Sequence, residues 1–412
     1  MRVTRRSTLA LLGSSSLAGF IRPARAESKF VTIGIALPLT GAAAEDATNI
    51  LHGAVMAIEE ANANGGIGGY ELRTLILDNG TATAGQYDPA QAATNTRKMV
   101  SDPSCVAAIG PMASGSGKAM APLLSQGNLA TVTPSSTSPD LTSPKFAAQY
   151  RPAGKAIYFR TVTTDAYQGP NMANFMADRL KVKSVFVVDD TGAYGVGVAD
   201  TFQAQAAKKG IKVLGRDRVD PLQSDYKPLM TKIKSLGAEA MYCGSSALAG
   251  VKLVKQSYEV VPNIIKAGGD GLHQASILAG AGFPAAEGWY STIAAPHMLD
   301  DVKLSAWLKR FEKRWGNPPS DYSITSYDAA TVVLAAITAV VKSGKPVERG
   351  AVRDAIQASN VETLQGPITY DANGDLTSHV VSVFQVKQDT AYPLNDVVHQ
   401  FKYIGVAPAE SA

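Results

Sequence analysis

The 412-residue chain carries 39 Lys and Arg against 35 Asp and Glu, a formal net charge of +4, with 45% hydrophobic residues and two cysteines. Five of the arginines (2, 5, 6, 22 and 25) fall in the first 26 residues, which hold no acid, so the remainder carries 34 basic against 35 acidic side chains. That balance lacks the basic face phosphate binding needs and speaks against nucleic acid as a partner. The 386 residues beyond position 26 exceed what one hydrophobic core usually organises, so two domains are expected.

Residues 1–26, MRVTRRSTLALLGSSSLAGFIRPARA, read as an export signal rather than as fold: a basic start, an apolar middle from Leu9 to Phe20, and Ala24-Arg25-Ala26 for cleavage. Thr4-Arg5-Arg6 before Ser7-Thr8-Leu9 resembles a twin-arginine signal, departing from its usual form at Thr8 and Ala10. The expected product is periplasmic, cleaved near Ala26, with no cysteine there to carry a lipid. No later segment is read as a run of ~18 uncharged apolar residues able to span a membrane.

Val31–Leu37 reads as a buried strand. A loop from Thr40 to Asp46 leads to a helix with Leu51, Val55, Ile58 and Asn62 on one stripe, stopped by Asn64-Gly65-Gly66. Tyr70–Asp78 is a strand, Asp88-Pro89 opens a helix to about Val100, and Val106–Ile109 is a strand. Ile109–Thr142 then gives a small-residue loop, a helix, the strand Leu129–Val132 and a Ser/Thr/Pro loop. Ser114 either caps this helix or, with its free N–H groups, helps hold an anion. After a hydrophilic break, Ser143–Gly154, the same rhythm resumes: strands Ile157–Val162, Ser184–Val188, Ile211–Val219, Ala238–Tyr242 and Ile264–Ala267, and helices Gly169–Leu180, Gly197–Lys209, one capped by Ser224 to Leu236, and Ala247–Tyr258. Strands alternating with helices predict parallel sheets with right-handed crossovers, once on each side of about residue 155. The rest is a strand Trp289–Ala294, helices Val302–Trp315, Tyr322–Ser343 and Glu348–Ala358, and extended runs Gly366–Tyr370, Val380–Val386 and Val397–Tyr403, read as additions to existing sheets.

Enzyme signatures are mostly absent. Gly117-Lys118 lacks the first glycine and the closing Ser/Thr of a phosphate loop, with Met112 and Ala119 in those places. Gly244-Ser245-Ser246-Ala247-Leu248 lacks the closing glycine of a nucleophile elbow. The five histidines show no metal spacing, and neither Cys105 nor Cys243 sits in a C-x-x-C; the two are either a disulfide or free buried thiols. No catalytic residue, metal or cofactor is therefore expected. What recurs is a polar loop at a strand's carboxyl end, where open parallel sheets bind ligands: Gly41–Asp46, Met112–Ser116 and Ser135–Thr137 in the first half, Asp189–Tyr194, Gly244–Ala247 and Gly268–Leu272 in the second.

The opening IGIALPLTG, Asn62-Ala63-Asn64-Gly65-Gly66-Ile67, Ile109-Gly110-Pro111, the run Thr133–Thr142, Tyr194-Gly195 and Gly366-Pro367-Ile368 come in the order and at the intervals of one family. The chain resembles the periplasmic solute-binding proteins of ABC importers, of the branched-chain amino-acid (Leu/Ile/Val) type, over essentially its whole length after the leader. The resemblance implies an α/β fold of two doubly wound parallel-sheet lobes joined by a three-crossover hinge, with lobe 1 at 29–160 plus 291–377 and lobe 2 at 161–290 plus 378–408. It also implies a monomer, ABC permease subunits as partners, and an amino-acid ligand or a similar small polar molecule.

Carried over position by position, Ser114 matches the serine that takes the ligand carboxylate, and Thr137 the threonine that serves both carboxylate and ammonium. Ser135 matches the position whose carbonyl takes the ammonium, and Asp270 an acid that pairs with it. Tyr194 matches the aromatic that closes from the second lobe. Met112 lies in the first of these loops. Three departures bear on specificity: Asp46 stands near a position where the family has a tyrosine, Ser245-Ser246-Ala247 stand where it has aromatics, and Asp270 replaces Glu, one methylene longer. A pocket losing two aromatic walls is expected to be larger or more polar, with Asp46 and Ser246 choosing the ligand's tail. The alternatives left open are the same fold binding an amide, urea or aromatic carboxylate, an exported hydrolase, and a sensory domain.

Overall fold

A computed structural model describes residues 29–408; the expected export signal lies outside the described residues. The first sheet contains β1 (Phe30–Leu37), β2 (Glu71–Asp78), β3 (Cys105–Ile109), β4 (Thr131–Thr133) and β5 (Tyr158–Arg160), all parallel in the order β2-β1-β3-β4-β5. The second contains β6 (Ser184–Asp189), β7 (Lys212–Arg218), β8 (Ala240–Gly244), β9 (Ile265–Gly268) and β10 (Tyr290–Ile293), parallel in the equivalent order β7-β6-β8-β9-β10. Two antiparallel strands, β11 (Ser382–Val386) and β12 (Phe401–Val406), extend it beyond β10. Each parallel set is doubly wound, with a switch point between its first and third strands, and the chain passes between the sheets after β5, after β10 and before β11.

The central strands read as continuous apolar runs because helices cover both faces. Ile33, Ile35 and Leu37 of β1 and Val185, Phe186 and Val187 of β6 are fully buried, each side chain contributing ~1.5–3 kcal/mol. Cys105 in β3 and Cys243 in β8 belong to different sheets; both are free and buried, and burial pushes both thiols up, Cys105 to about 11.

The helices of the last third return to the first sheet. Asp321–Lys342 is long and apolar enough to cross a membrane by length and composition, although Asp328 breaks any uncharged run of the length a span needs, and it packs against Ala44–Ala63. The two come so close that a Cβ on Gly53 would lie 2.1 Å from the Ser323 carbonyl oxygen.

Several local expectations are corrected. The helix expected from Ser224 begins at Lys227, with Tyr226 at the cap position and the Lys227 N–H donating to Asp225 Oδ1 at 3.0 Å, while the Ser224 carbonyl accepts from the Gln256 side chain. Val397–Gln400 is a helical turn capped by Asp396, and the strand starts only at Phe401. Gly366–Thr369 joins no large sheet: it pairs antiparallel with Asn360–Thr363 in a separate hairpin. Residue 290, expected as the end of a second-lobe segment, begins the strand Tyr290–Ile293, which stays in the second sheet.

Candidate ligand-binding site

The carboxyl ends of the two sheets face one another across a narrow cleft lined by residues of both lobes. The segments after β1, β3 and β4 in the first lobe and after β6, β8 and β9 in the second line it. Gly110, directly after β3, has φ +103° and a Cβ there would lie 2.5 Å from the Ala36 carbonyl, so glycine is required for the chain to turn away from β1.

Ser114 does not cap the helix Ser114–Gln126. Ala113 holds that position with no side-chain cap, and Ser114 is the first helical residue. Its Oγ accepts from the Ser138 N–H at 3.2 Å and the Ser136 hydroxyl at 3.3 Å, tying the two first-lobe loops together. The uncapped first turn leaves N–H groups and the positive end of the helix dipole directed at the cleft, a setting for a carboxylate.

The loop after β4 is held from beneath by Arg160, which is fully buried. Its guanidinium donates to the Ser136 carbonyl, to the Ser138 carbonyl at 2.8 Å, to Thr142 Oγ1 at 3.0 Å and to Asp375 Oδ1 at 2.8 Å. Thr133 Oγ1 accepts from the Ser136 N–H at 3.0 Å. Ser135 lines the cleft, while Thr137 is wholly buried behind it with an unpartnered Oγ1.

From the second lobe, Asp270 and Tyr194 reach the cleft wall, and the Tyr194 hydroxyl accepts from the Gly271 N–H at 3.0 Å. Asp270 Oδ2 accepts from Tyr322, whose helix belongs to the first lobe, and Asp270 Oδ1 is buried without a partner. Burial pushes the Asp270 carboxyl above its ordinary range, while the Tyr194 and Tyr322 hydroxyls and Gln168 pull it back. Among the described residues, Asp270 is the one acidic side chain on the cleft wall, which includes no Lys or Arg.

Met112 and Ser246 also line the cleft. Ser246 is positioned by its N–H, which Asp190 Oδ2 accepts at 2.7 Å.

Asp46 lies beside the cleft rather than on its main wall, in a small adjoining cavity that shares Met112, Gln274 and Tyr322 with it. Its Oδ1 accepts from the Ala275 N–H at 2.9 Å and its Oδ2 from the Ser276 hydroxyl at 2.9 Å, at the start of helix Ala275–Ala281 in the second lobe. The otherwise unpaired first N–H groups of that helix take up its carboxylate. Burial raises Asp46 to about 6, with these hydrogen bonds acting against the rise.

The expected loss of aromatic walls is corrected as well. Tyr87 and Tyr322 stand in the wall beside Tyr194, arriving from elements other than the loops in which the aromatics are missing. Tyr87 ends the short hairpin Gly80–Thr81/Gln86–Tyr87, and a Cβ on Gly192 of the opposite lobe would sit 3.0 Å from its hydroxyl. Sequence reasoning passed over Tyr87, Tyr322, Gln274 and Arg160. The one available signal for Tyr322 is its place after Ser320, whose side chain accepts from the Ser323 N–H in a capping box.

A profile of the periplasmic binding protein family matches residues 31–391. The chain is 32% identical over 380 residues to the Leu/Ile/Val-binding protein homolog 3 of Brucella melitensis, covering 92% of this chain and 97% of that one. Among solved structures, the branched-chain amino acid transporter substrate binding protein LivJ of Streptococcus pneumoniae, in complex with isoleucine, aligns with a TM-score of 0.76 at 21% identity, over 92% of this chain and 100% of that chain. A solute binding protein of an ABC transporter from R. palustris, in complex with benzoate, aligns with a TM-score of 0.75 at 20% identity, over 93% and 98% of the two chains. These structural likenesses establish the α/β fold of two doubly wound lobes, and the profile match with the Brucella relative goes further: the chain belongs to the periplasmic binding protein family.

Proposed function

We propose that the chain is the solute-binding subunit of an ABC importer, capturing an amino acid, branched-chain or similar, between its lobes by hinge closure. One observation carries this reading. An uncapped helix start at Ser114, without any basic residue on the wall, faces the carboxylate of Asp270. Neutral donors on one side and an acid on the other match a zwitterionic head group and suit neither a dianion nor a dication.

In this reading Ser114 and the Thr137 N–H hold the carboxylate, while the Ser135 carbonyl, Thr137 Oγ1 and Asp270 hold the ammonium. Tyr194 closes over the ligand, and Met112 and Ser246 meet the tail. Five or six charge-assisted hydrogen bonds at ~1.5–3 kcal/mol each stand against association costs of ~4–15 kcal/mol, so micromolar affinity or better is expected. The lobes are assigned to 29–160 plus 294–377 and to 161–293 plus 378–408, moving one boundary past β10. Export to the periplasm with cleavage near Ala26, a monomeric state, and recognition of the closed form by permease subunits complete the proposal.

A second reading keeps the fold and places an aromatic carboxylate in the cleft, favoured by the three tyrosines on its wall and by the benzoate-bound neighbour. A thermal-shift panel of amino acids, amides and aromatic acids separates the two. Calorimetry on the amino acid that shifts most is expected to give one site per chain, and Asp270→Asn to weaken it by at least about tenfold. Unchanged affinity in the variant would remove Asp270 from the ammonium site, and a response to benzoate alone would replace the first reading by the second.

A further inference from the structure

Behind the cleft wall lies a second carboxylate. Asp165, the first residue of the helix Asp165–Asp178, is fully buried, and its Oδ2 has no hydrogen-bond partner. One side chain joins it to Asp270: Gln168 Nε2 donates to Asp165 Oδ1 at 2.9 Å, and Gln168 Oε1 accepts from the Asp270 N–H at 2.8 Å. The backbone joins it to the ligand loop, since the Asp165 N–H donates to the Thr137 carbonyl at 2.9 Å. Asp270 Oδ1, on the cleft wall, and Asp165 Oδ2 and Thr137 Oγ1, fully buried just behind it, are thus three neighbouring oxygens, and the Thr137 hydroxyl is close enough to Asp165 to steady its charge.

Buried polar atoms are normally satisfied, and two carboxylates at close quarters cannot both stay charged without a cation. The groups around the pair supply little positive charge. Tyr194, Tyr242 and Tyr322 face it as neutral phenols, and the nearest cation, Arg160, is committed to Asp375 and to the loop carbonyls. An ammonium presents three N–H donors to these three acceptors and removes the excess charge.

We propose that Asp165 is a specificity-determining residue of the cleft: with Asp270 and the Thr137 hydroxyl it forms a two-carboxylate receptacle that accepts a ligand bearing an ammonium group and rejects one that lacks it. This rests on the reading that the cleft takes an amino acid.

The receptacle has a proton linkage. Burial first, then the neighbouring Asp270 charge, hold the Asp165 carboxyl far above its ordinary range. Without a cationic ligand the pair keeps a proton, and the ammonium displaces it to solvent as it binds. The folded protein then binds a proton that the ligand-bound form does not, so affinity for an amino acid rises with pH through the pair's titration and falls toward acid.

The test uses the full-length exported chain, with leucine and the other common amino acids as probes and 4-methylpentanoate as leucine's counterpart without the amino group. Calorimetry in buffers of different ionisation enthalpy, between about pH 6 and 8, counts the protons released. The wild type is expected to release a measurable fraction of a proton and to prefer leucine over 4-methylpentanoate. Asp165→Asn is expected to lose at least about tenfold in leucine affinity, to lose much of that preference, and to release fewer protons. Asp165→Ser serves if the first variant does not fold. A variant that keeps both the preference and the proton count overturns the proposal and leaves the amino-acid reading standing, as does a wild type that binds leucine without releasing protons. A wild type that binds no amino acid at all overturns both.

Discussion

At the scale of single residues, the site depends on groups that never touch a ligand. Arg160 is the clearest. It sits at the end of β5 with no exposure, and it spends its donors on the carbonyls of the loop that presents Ser135 and Thr137. Its charge is answered by Asp375, which comes from a distant part of the chain and is itself a quarter exposed. Removing one partner of such a pair leaves an uncompensated charge and several carbonyls without donors. Arg160→Ala is therefore expected to destabilise the protein by about 3 kcal/mol or more, read from denaturant unfolding, and to weaken the ligand as well. A midpoint within error of wild type would mean that the loop holds its shape without the guanidinium. The sequence marked Ser114, Ser135 and Asp270 through the family's motifs, but an arginine at the end of an apolar strand carries no local mark of what it will support.

At the scale of elements, a side chain near the start of one helix serves a helix in the other lobe. Asp46, in the first turn of Ala44–Ala63, accepts from the first N–H groups of Ala275–Ala281 across the cleft. The contact joins the two lobes, so under the proposed hinge closure it would act on closing rather than on the choice of ligand tail. Losing an N-terminal cap costs ~0.5–2 kcal/mol, which weakens apparent affinity by ~2- to 30-fold if the contact forms only on closing. Asp46→Ala is expected to show that loss for every ligand of a calorimetric panel alike. A loss confined to ligands with one kind of tail would return Asp46 to the specificity-determining wall. The position was legible as a departure from the family's tyrosine, but its partner lies 229 residues away, beyond any periodicity or spacing rule.

At the scale of the whole molecule, separate sheets and three connections between them favour hinge motion. Among the groups that bridge the lobes are Asp46 to Ser276, Asn395 to Glu45, Tyr322 to Asp270, the Asp165 N–H to the Thr137 carbonyl, and Tyr87 against Gly192. Ligand addition is expected to lower the radius of gyration in small-angle scattering and to raise thermal stability, by ~2.7 kcal/mol at a hundredfold excess over Kd. An unchanged scattering profile with tight binding would mean that the lobes already rest together without ligand. Alternation of apolar strands with amphipathic helices, twice over, determined the two doubly wound sheets, because that periodicity follows from burial of strands on both faces. The order of the loops at the strands' carboxyl ends determined where a ligand would bind. Which side chains meet in the cleft was decided only by the tertiary structure. Tyr87 and Tyr322 replace walls missing from the expected loops, Asp46 is drawn to a helix end, and Asp165 is brought behind Asp270, because each pairing joins elements remote in the chain whose distance is set by packing within or between the lobes.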